Sequence, residues 1–342
     1  MIDRLLIVGL GSIGRRHLRL ARSLLPRARI CVMRHQKTDE VPEWADEVCC
    51  TLDEALAFKP MAAVIANPAP FHAEVALPLA RAGIHLLIEK PVGTDSSQID
   101  VLQRVCVDAG VTAMTAYNLR FLPSLQKVRE LLAAGHVGKV LSVRGEMGQY
   151  LPSWRPHADY RQGVSARKVL GGGVLFELSH ELDYLRWLCG DVTWVQATLL
   201  KASDLDIDVE DTAHLVLGLN GMGDGVRSGP LVATINIDFV RHDTTRCVTF
   251  IGEAGSLRWN ALDGRVDVCM AGQTGWETLA QLASQRDDSY IAEWQHWLQC
   301  IDLGAPCAPS IGDGLQVLRI IEAARASAAA AGRCDVPMPK RH

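Results

Sequence analysis

Three closely spaced glycines directly after a short apolar run constrain the fold of this chain most strongly. Residues 5–8 are apolar, glycines follow at positions 9, 11 and 14 in the spacing GxGxxG, and an amphipathic stretch begins at residue 13. The first glycine of such a turn makes the tight bend, the second lets the backbone approach a pyrophosphate, and the third lets the helix pack close to the strand. The helix N-terminus attracts the anion. The predicted dinucleotide-binding residues of this turn are Gly9, Gly11, Ser12, Ile13 and Gly14.

The first third of the chain alternates short apolar runs with helical stretches. We predict strands at residues 5–8, 29–33, 62–66, 85–88 and 112–116, and helices at residues 13–25, 54–58, 72–82 and 96–109. Strands that are apolar on both faces and separated by helices are typical of a parallel, doubly wound sheet. The chain therefore begins with an α/β domain, a Rossmann-type NAD(P)-binding domain over residues 1–120.

The pattern changes after Pro123. Helices are predicted at residues 124–134, 173–188, 288–303 and 313–331, and alternating runs at residues 138–150, 192–201, 212–219, 231–240, 245–251, 255–260 and 265–270, with a Gly-rich turn at residues 220–225. Long alternation is typical of an antiparallel sheet with one covered face. We predict a second domain over residues 121–342, an α+β domain with a large, mainly antiparallel open sheet.

Composition excludes several classes of protein. The 342 residues carry 35 basic and 39 acidic side chains, and no long Lys/Arg run suits a phosphate backbone. The ten cysteines form no CxxC pair, as is typical of reduced thiols in the cytoplasm. No stretch approaches the ~18 apolar residues of a membrane span, and no HExxH zinc motif occurs. We therefore expect a cytoplasmic protein without a nucleic-acid, membrane or metal partner.

Arg34 bears on the choice of coenzyme. An acidic residue about 20 positions beyond the glycines normally binds the ribose hydroxyls of NAD. Arg34 stands at that place, and the nearest acids are Asp39 and Glu40. An arginine pairs with the 2′-phosphate of NADP. The cofactor is therefore NADP or NAD, with NADP slightly favoured, and the alternative is that Arg34 is an ordinary surface residue.

Motifs after three predicted strands carry a resemblance to a known family. They are Asn67-Pro68-Ala69-Pro70-Phe71-His72, Glu89-Lys90-Pro91 and Tyr117-Asn118-Leu119-Arg120. Together with the glycine turn, this series resembles the Gfo/Idh/MocA oxidoreductases, the group of glucose-fructose oxidoreductase and inositol dehydrogenase. The resemblance implies NAD(P) and hydride transfer to or from a carbinol carbon of a sugar, cyclitol or related compound. It also implies pairing of C-terminal sheets in a homodimer or homotetramer.

The resemblance also assigns roles to residues of these motifs. Lys90 orients the substrate hydroxyl and modulates its proton, and Ala69 replaces an asparagine of the family pattern. Cofactor contacts are expected from Asn67, Pro68, His72, Glu89, Lys90, Pro91 and Asn118. Substrate contacts are expected from Lys90, Tyr117 and Arg120.

A second catalytic group is expected on the predicted helix 173–188. The family usually has Asp-x-x-x-His there, but alignment on His180 places Phe176 at the aspartate, and the nearest carboxylate is Glu177. A histidine titrates near neutral pH and suits proton transfer from an alcohol. We predict His180 as the acid/base and Glu177, three residues before it on nearly the same helical face, as a group that orients His180 or binds substrate. The alternative is that Glu177 simply favours the helix dipole. Asp183 is expected to be a packing or helix-surface acid.

The segment ahead of that helix concentrates aromatic and basic residues. Trp154 is predicted to stack on the nicotinamide or on a sugar ring. Substrate contacts are predicted from Tyr150, Arg155, Arg161 and Arg167, with Lys168 in the same cluster and His180 beyond it. Such a cluster favours an acidic, phosphorylated or nucleotide-linked sugar, and the alternative is a solvated loop.

The combined prediction is an NAD(P)-dependent oxidoreductase acting on CH–OH groups of a sugar, a cyclitol or an acidic or nucleotide sugar derivative. Two alternatives stay open. One is an NAD-dependent glycosidase of the same family, which would hold its NAD tightly. The other is a dinucleotide-sensing regulatory protein without turnover, against which the presence of both Lys90 and His180 argues.

Overall fold

The computed structural model describes residues 2–35, 40–221 and 229–338. The chain forms two compact units, the first comprising Met1–Tyr117 and Ile291–Leu318 and the second Asn118–Tyr290 and Arg319–His342. Asp39 and most of the Gly-rich turn at residues 220–225 lie outside the described residues.

The first unit contains a six-stranded parallel sheet with helices between its strands. Its elements are β1 Arg4–Val8, α1 Ser12–Leu24, β2 Arg29–Met33, β3 Glu47–Cys49, α2 Leu52–Ala57, β4 Ala62–Ile65, α3 His72–Arg81, β5 His85–Glu89, α4 Ser96–Asp108 and β6 Ala113–Ala116. The strand order is β3-β2-β1-β4-β5-β6. This confirms the predicted doubly wound sheet; the three-residue edge strand β3 is the one strand of this sheet that the sequence pattern does not show.

The second unit is built on a nine-stranded sheet. Its elements, with the two helices that run into the first unit, are α5 Pro123–Ala133, β7 Val140–Gly148, α6 Val174–Glu177, α7 His180–Cys189, β8 Val192–Leu200, β9 Thr212–Leu219, β10 Leu231–Asp238, β11 Thr245–Gly252, β12 Gly255–Asn260, β13 Arg265–Met270, β14 Glu277–Gln281, α8 Asp288–Leu303, α9 Ile311–Ala330 and β15 Cys334–Asp335. The order is β14-β13-β12-β11-β7-β10-β9-β8-β15. Among the described strands of this second sheet, β7 and β10 are the one parallel pair, and the other neighbouring strands are antiparallel. This confirms a mainly antiparallel open sheet.

Alternation along the strands gives this sheet one buried and one open face. Leu231, Ala233, Ile235 and Ile237 of β10 are buried, whereas the side chains between them are exposed or, at the strand's end, half-buried. The neighbouring strands follow the same register, because Val232 pairs with Ser142 of β7 and β10 is also bonded to β9. Side-chain direction alternates along a strand, so one face forms the core and the other remains open.

The chain returns to the first unit after the large sheet. Residues 291–318, which the sequence pattern assigns to the second domain, belong to the first compact unit. The backbone N–H of Thr115 on β6 donates to the carbonyl of Pro309 at 3.0 Å, and its hydroxyl donates to the carbonyl of Ser310 at 3.0 Å. These bonds extend the edge strand of the parallel sheet with a segment nearly 200 residues away in sequence, which local periodicity cannot indicate.

Candidate functional site

The glycine turn after β1 has the geometry that a dinucleotide requires. Gly9 has φ +86°, and its N–H donates to the carbonyl of Met33 at 3.0 Å. A Cβ at Gly14 would overlap the carbonyl oxygen of Gly9, whereas a Cβ at Gly11 would meet no atom within 4 Å. Gly9 and Gly14 therefore close the turn against the helix, and Gly11 leaves its outer side open.

The start of α1 completes an anion-binding surface beside Gly11. Helix α1 begins at Ser12 and continues through Ile13, so the first N–H groups of the helix have no intrahelical acceptor. Gly11 is the residue before the helix, and no side chain caps these groups. Free N–H groups and the positive end of the helix dipole favour a phosphate at this position. The residues present therefore fit the pyrophosphate of NAD(P).

A cavity of about 230 Å³ lies next to the turn, and both basic and acidic side chains line it. The lining residues are Leu10, Arg15, Leu18, Arg34, Glu40, Pro42, Glu43 and Trp44. The backbone N–H of Arg34 donates to the carbonyl of Cys49 at 2.9 Å, which fixes the end of β2. Sequence reasoning missed Arg15; its position directly after the last glycine of the motif, on the first turns of α1, is the signal that indicates it.

His72 joins the loops that follow β4 and β5. It is buried, its Nε2 lies 2.7 Å from the carbonyl oxygen of Asn67, and its Nδ1 lies 3.3 Å from that of Val92. Burial lowers the pKa of His72, against the opposing effect of the Asn67 carbonyl. The structure thus uses His72 to hold two loops together, while its predicted cofactor contact stays a prediction, as does that of Pro68.

The Glu-Lys-Pro loop, residues Glu89 to Pro91, begins at the carboxyl end of β5. The Glu89 carboxylate is buried, and it accepts from the Lys90 backbone N–H at 3.0 Å and from His17 Nε2 at 2.8 Å. The peptide bond between Lys90 and Pro91 is cis, and the Lys90 side chain is half-buried. Because all strands of this sheet are parallel, this loop lies on the same sheet edge as the glycine turn and Asn67. Ligands of open α/β sheets bind at that edge.

The predicted helix 173–188 is wrong, because two short helices replace it. Helix α6 ends at Glu177 and α7 begins at His180, and Leu178 between them has left the helical region at φ −99°, ψ 27°. Glu177 and His180 therefore do not share a helical face. Both side chains are half-buried.

Two buried ion pairs hold α7. Asp183 accepts from Arg120 Nε at 2.9 Å and from Nη2 at 2.6 Å, and Glu181 accepts from Arg246 Nε at 2.8 Å. Asp183 is thus an internal acid, which agrees with the first of the two expected alternatives, a packing acid, and not with a helix-surface position. The Arg120 guanidinium is bound by Asp183 inside the protein. The substrate contact predicted for Arg120 stays untested.

Two other predicted contact residues are also buried. Tyr117 is fully shielded from solvent, and the side-chain amide of Asn118 donates to the hydroxyl of Ser289 at 2.8 Å. The structure gives both residues packing roles, and their predicted ligand contacts remain untested.

Acidic partners offset the basic segment ahead of α6. Arg161 is bound by Asp159, Arg167 lies 3.6 Å from Asp206, and the Lys168 backbone N–H donates to Asp208 at 2.6 Å. Sequence reasoning counted Asp159 alongside the cations but missed Asp206 and Asp208, because they lie about 40 positions away. These aspartates offset part of the positive charge of the cluster, which weakens its argument for an anionic substrate.

The aromatic residues of this segment pack within the second unit. The Trp154 indole N–H donates to the carbonyl of Gln149 at 3.0 Å, and its ring lies edge-on to Phe239 with centroids 5.3 Å apart. The rings of Tyr150 and His242 lie 4.3 Å apart. Trp154 and Tyr150 are half-buried, and Arg155 is exposed. All three stay predicted contacts.

Neither a metal-binding cluster nor a membrane-spanning helix is found among the described residues. No group of three or more His, Cys, Asp or Glu side chains there is arranged to hold a metal ion. None of the helices in that part of the chain is long and apolar enough to cross a membrane.

Comparison with known proteins identifies the class. Residues 4–117 match the oxidoreductase family with an NAD-binding Rossmann fold, and residues 125–258 match the GFO/IDH/MocA C-terminal domain. The chain belongs to the GFO/IDH/MocA family of NAD-binding oxidoreductases, which confirms the resemblance of the sequence motifs.

Individual relatives are sugar and cyclitol dehydrogenases. The chain is 26% identical over 322 residues to levoglucosan dehydrogenase of Pseudarthrobacter phenanthrenivorans, covering 80% of this chain and 79% of that protein. It is 27% identical over 278 residues to inositol 2-dehydrogenase of Rhizobium meliloti, covering 78% of each. A solved structure of levoglucosan dehydrogenase in complex with NADH superposes with a TM-score of 0.84 at 22% identity, over 98% of this chain and 99% of the other.

Proposed function

We propose that this oxidoreductase is a dehydrogenase that oxidises, or forms in reverse, a secondary alcohol of a neutral sugar or cyclitol. One observation carries the proposal: the open backbone at Gly11 and the Lys90 side chain belong to loops on the same edge of one parallel sheet. When bound, NAD(P) accepts or supplies the hydride at its nicotinamide ring. The family membership supports this reaction class.

Lys90 is proposed to act on the substrate hydroxyl. Its ammonium carries three donors and a positive charge, so it orients the hydroxyl oxygen and favours the ionised form of the alcohol. The loop that holds it is fixed at its backbone, because the Lys90 N–H is bound by the Glu89 carboxylate. A fixed backbone limits the positions that the ammonium reaches, and orientation of this kind lowers a reaction barrier.

His180 is proposed to take the hydroxyl proton during oxidation and to return it during reduction. It is the first residue of α7, it is half-buried, and the ion pairs of Glu181 and Asp183 hold the helix that carries it. Histidine is the side chain that most often serves as a general acid or base in enzymes. The orienting role of Glu177 stays a prediction; Glu177 ends α6, three residues before His180 begins α7.

A neutral polyol is proposed as substrate because acidic side chains offset part of the positive charge ahead of α6. The aspartates at positions 159, 206 and 208 offset the basic segment. The names of the relatives, levoglucosan dehydrogenase and inositol 2-dehydrogenase, support uncharged polyhydroxylated rings as the substrate class.

We further propose that NADP is the preferred coenzyme. Arg15 and Arg34 line the same cavity at the end of β2, where the adenosine ribose of a dinucleotide is expected. Two guanidinium groups suit a 2′-phosphate. Glu40 and Glu43 line the cavity too and suit the ribose hydroxyls of NAD, so NADH is expected to bind more weakly rather than to be excluded.

The open face of the nine-stranded sheet is proposed to pair with a second copy of the chain. Seven of the nine strands have six to nine residues each. At a strand spacing of about 4.8 Å they alone cover roughly 800 Å², the area that a stable dimer buries on each partner. Val232 is 41% exposed on this face. Val232→Glu should shift the sedimentation coefficient to that of a smaller species, whereas Val107→Glu, at an exposed valine of α4, should leave it unchanged. A monomeric wild-type chain would contradict the proposal.

A reducing compartment, the cytoplasm, suits the chain. All ten cysteines are free, and five of them are buried: Cys31, Cys49, Cys106, Cys189 and Cys300. Free thiols persist where disulfides are kept reduced.

Turnover of polyols by the purified protein tests the proposed function. Levoglucosan, inositol, D-xylose and glucuronate are each offered with NAD⁺ and with NADP⁺, and reduced coenzyme is followed at 340 nm. The expected result is reduction with a neutral polyol and little with glucuronate. Tightly held NAD without net reduction would indicate the glycosidase, and binding without turnover of any compound would indicate a sensor; either result would overturn the proposal.

A further inference from the structure

A buried histidine connects the cofactor-binding helix to the Glu-Lys-Pro loop. His17 lies on α1, six residues after Gly11, and is fully shielded from solvent. Its Nε2 lies 2.8 Å from Glu89 Oε1, and its Nδ1 lies 2.9 Å from the indole nitrogen of Trp294 on α8. All three residues belong to the first compact unit.

The hydrogen-bond partners determine the tautomer of His17. An indole nitrogen is only a donor, so the Trp294 N–H must donate to Nδ1, which therefore carries no proton. The remaining proton of a neutral imidazole then sits on Nε2. That N–H donates to the Glu89 carboxylate, which in its ionised form only accepts. Trp294 thus fixes the direction of the bond from His17 to Glu89.

The same carboxylate holds the backbone of the catalytic lysine. Glu89 Oε1 accepts from His17 and Oε2 accepts from the Lys90 backbone N–H at 3.0 Å. The result is one continuous series of bonds from Trp294 through His17 and Glu89 to the main chain of Lys90. We propose that His17 is a positioning residue, which fixes Glu89 and through it the point from which the Lys90 side chain extends. This inference rests on the proposed catalytic role of Lys90.

The sequence of bonds explains why a histidine suits this position. The side chain must accept on one side and donate on the other while being completely buried, and a neutral imidazole does both. An apolar replacement would leave the buried Glu89 carboxylate without one of its donors. Glu89 would then turn toward other donors, and the Lys90 backbone would lose a fixed partner. A displacement of about 1 Å at a catalytic group lowers a rate about 100-fold.

The chain offers a matched pair of variants around His17. Trp294→Phe removes the one N–H that sets the tautomer, and Trp297→Phe removes the indole N–H of a neighbouring buried tryptophan whose ring centroid is 5.4 Å away. Trp297 Nε1 has no hydrogen-bond partner among the described residues. The two substitutions are alike in size and burial, and only the first breaks the series of bonds.

The test compares these variants with His17→Leu and His17→Gln. Turnover is measured with levoglucosan or inositol, whichever the wild type uses faster, and coenzyme affinity by the fluorescence of bound NADPH. We expect kcat to fall at least tenfold in His17→Leu and at least threefold in Trp294→Phe, with the Kd of NADPH within threefold of wild type. His17→Gln, whose amide both donates and accepts, should recover most of kcat, and Trp297→Phe should stay within twofold.

Each other outcome overturns a definite part of the proposal. A wild-type kcat in His17→Leu, or a loss of NADPH affinity equal to the loss of kcat, removes the positioning role. If His17→Leu does not fold, equal kcat values in Trp294→Phe and Trp297→Phe remove it instead. Lys90→Ala, measured in parallel, separates the two claims. Undiminished turnover there overturns the catalytic role of Lys90 itself, whereas an inactive Lys90→Ala beside a fully active His17→Leu overturns only the inference about His17.

Discussion

Arg120 binds both carboxylate oxygens of Asp183, and the two side chains are 6% and 2% exposed. Asp183 lies on α7, three residues after His180, so this pair fixes the helix that presents the proposed acid/base. A buried pair of this kind is costly to break on one side, because the remaining charge stays buried without its counterion.

Breaking the pair on one side should destabilise the second unit. Asp183→Leu leaves the Arg120 guanidinium unpaired, and we expect it to lower the free energy of unfolding by about 3–5 kcal/mol. The double variant Arg120→Met with Asp183→Leu should recover most of that loss, because both charges are gone. Urea denaturation followed by tryptophan fluorescence measures the difference.

The control for this prediction is an exposed ion pair. Asp100→Ala removes the partner of Arg104 on α4, where both side chains are well exposed, and should cost about 1 kcal/mol or less. An equal loss in Asp100→Ala and Asp183→Leu would contradict the role given to burial.

Substitutions at two glycines of the turn after β1 should affect stability and cofactor affinity separately. Gly14→Ala places a Cβ against the carbonyl oxygen of Gly9 and should lower the melting temperature by several degrees. Gly11→Ala meets no atom within 4 Å, so the melting temperature should change little while the Kd of the dinucleotide rises at least tenfold. Thermal unfolding and fluorescence titration test this, and unchanged affinity in Gly11→Ala would exclude the pyrophosphate from this turn.

Arg34 should discriminate between the coenzymes. Hydrogen bonds to a charged group contribute about 1.5–3 kcal/mol, so Arg34→Ala should raise the KM for NADPH at least tenfold and the KM for NADH less than threefold. Arg81→Ala, at an exposed arginine of α3 outside the cavity, is the control. A wild-type preference for NADH that persists in Arg34→Ala would refute the proposed NADP preference.

His72 should make stability depend on pH. Burial lowers its pKa in the folded chain below the ordinary value of 6.5. Between the lowered pKa of His72 in the folded chain and its ordinary pKa in the unfolded chain, the unfolded chain binds more protons. The stability that neutral His72 contributes is therefore complete above pH 6.5 and decreases as the pH falls below it. The melting temperature of the wild type should therefore fall more steeply from pH 7 to pH 5 than that of His72→Asn. Parallel curves for the two proteins would refute this contribution.

Local sequence patterns were enough to predict those parts of the fold that are determined by residues close together in sequence. The strand Arg29–Met33 has the bounds that its apolar run predicts, and the glycine turn has the predicted geometry because its glycines act on one another. The broken helix at His180 was not predictable in this way. The arginines that bind α7, Arg120 and Arg246, lie 63 and 65 residues from the carboxylates they contact.

The candidate site shows the same difference between residues with local signals and residues whose contacts are distant in sequence. Lys90 and the glycines belong to short motifs, which periodicity and spacing reveal. His17, the partner of Glu89, gives no such signal, because its contacts come from positions 72 and 277 residues away. Asp206 and Asp208, which offset part of the basic segment, were missed for the same reason, because they lie about 40 residues away from it.

The central claim is that Lys90 and His180 carry the proton chemistry while other residues bind the coenzyme. The most direct test measures kcat and the Kd of NADPH for Lys90→Ala and His180→Ala, with Lys59→Ala and the exposed His157→Ala as matched controls. We expect each catalytic variant to lose at least 100-fold in kcat, the range of general acid–base catalysis, with the Kd within threefold of wild type and both controls unchanged. Turnover within threefold of wild type in either Lys90→Ala or His180→Ala would contradict the account.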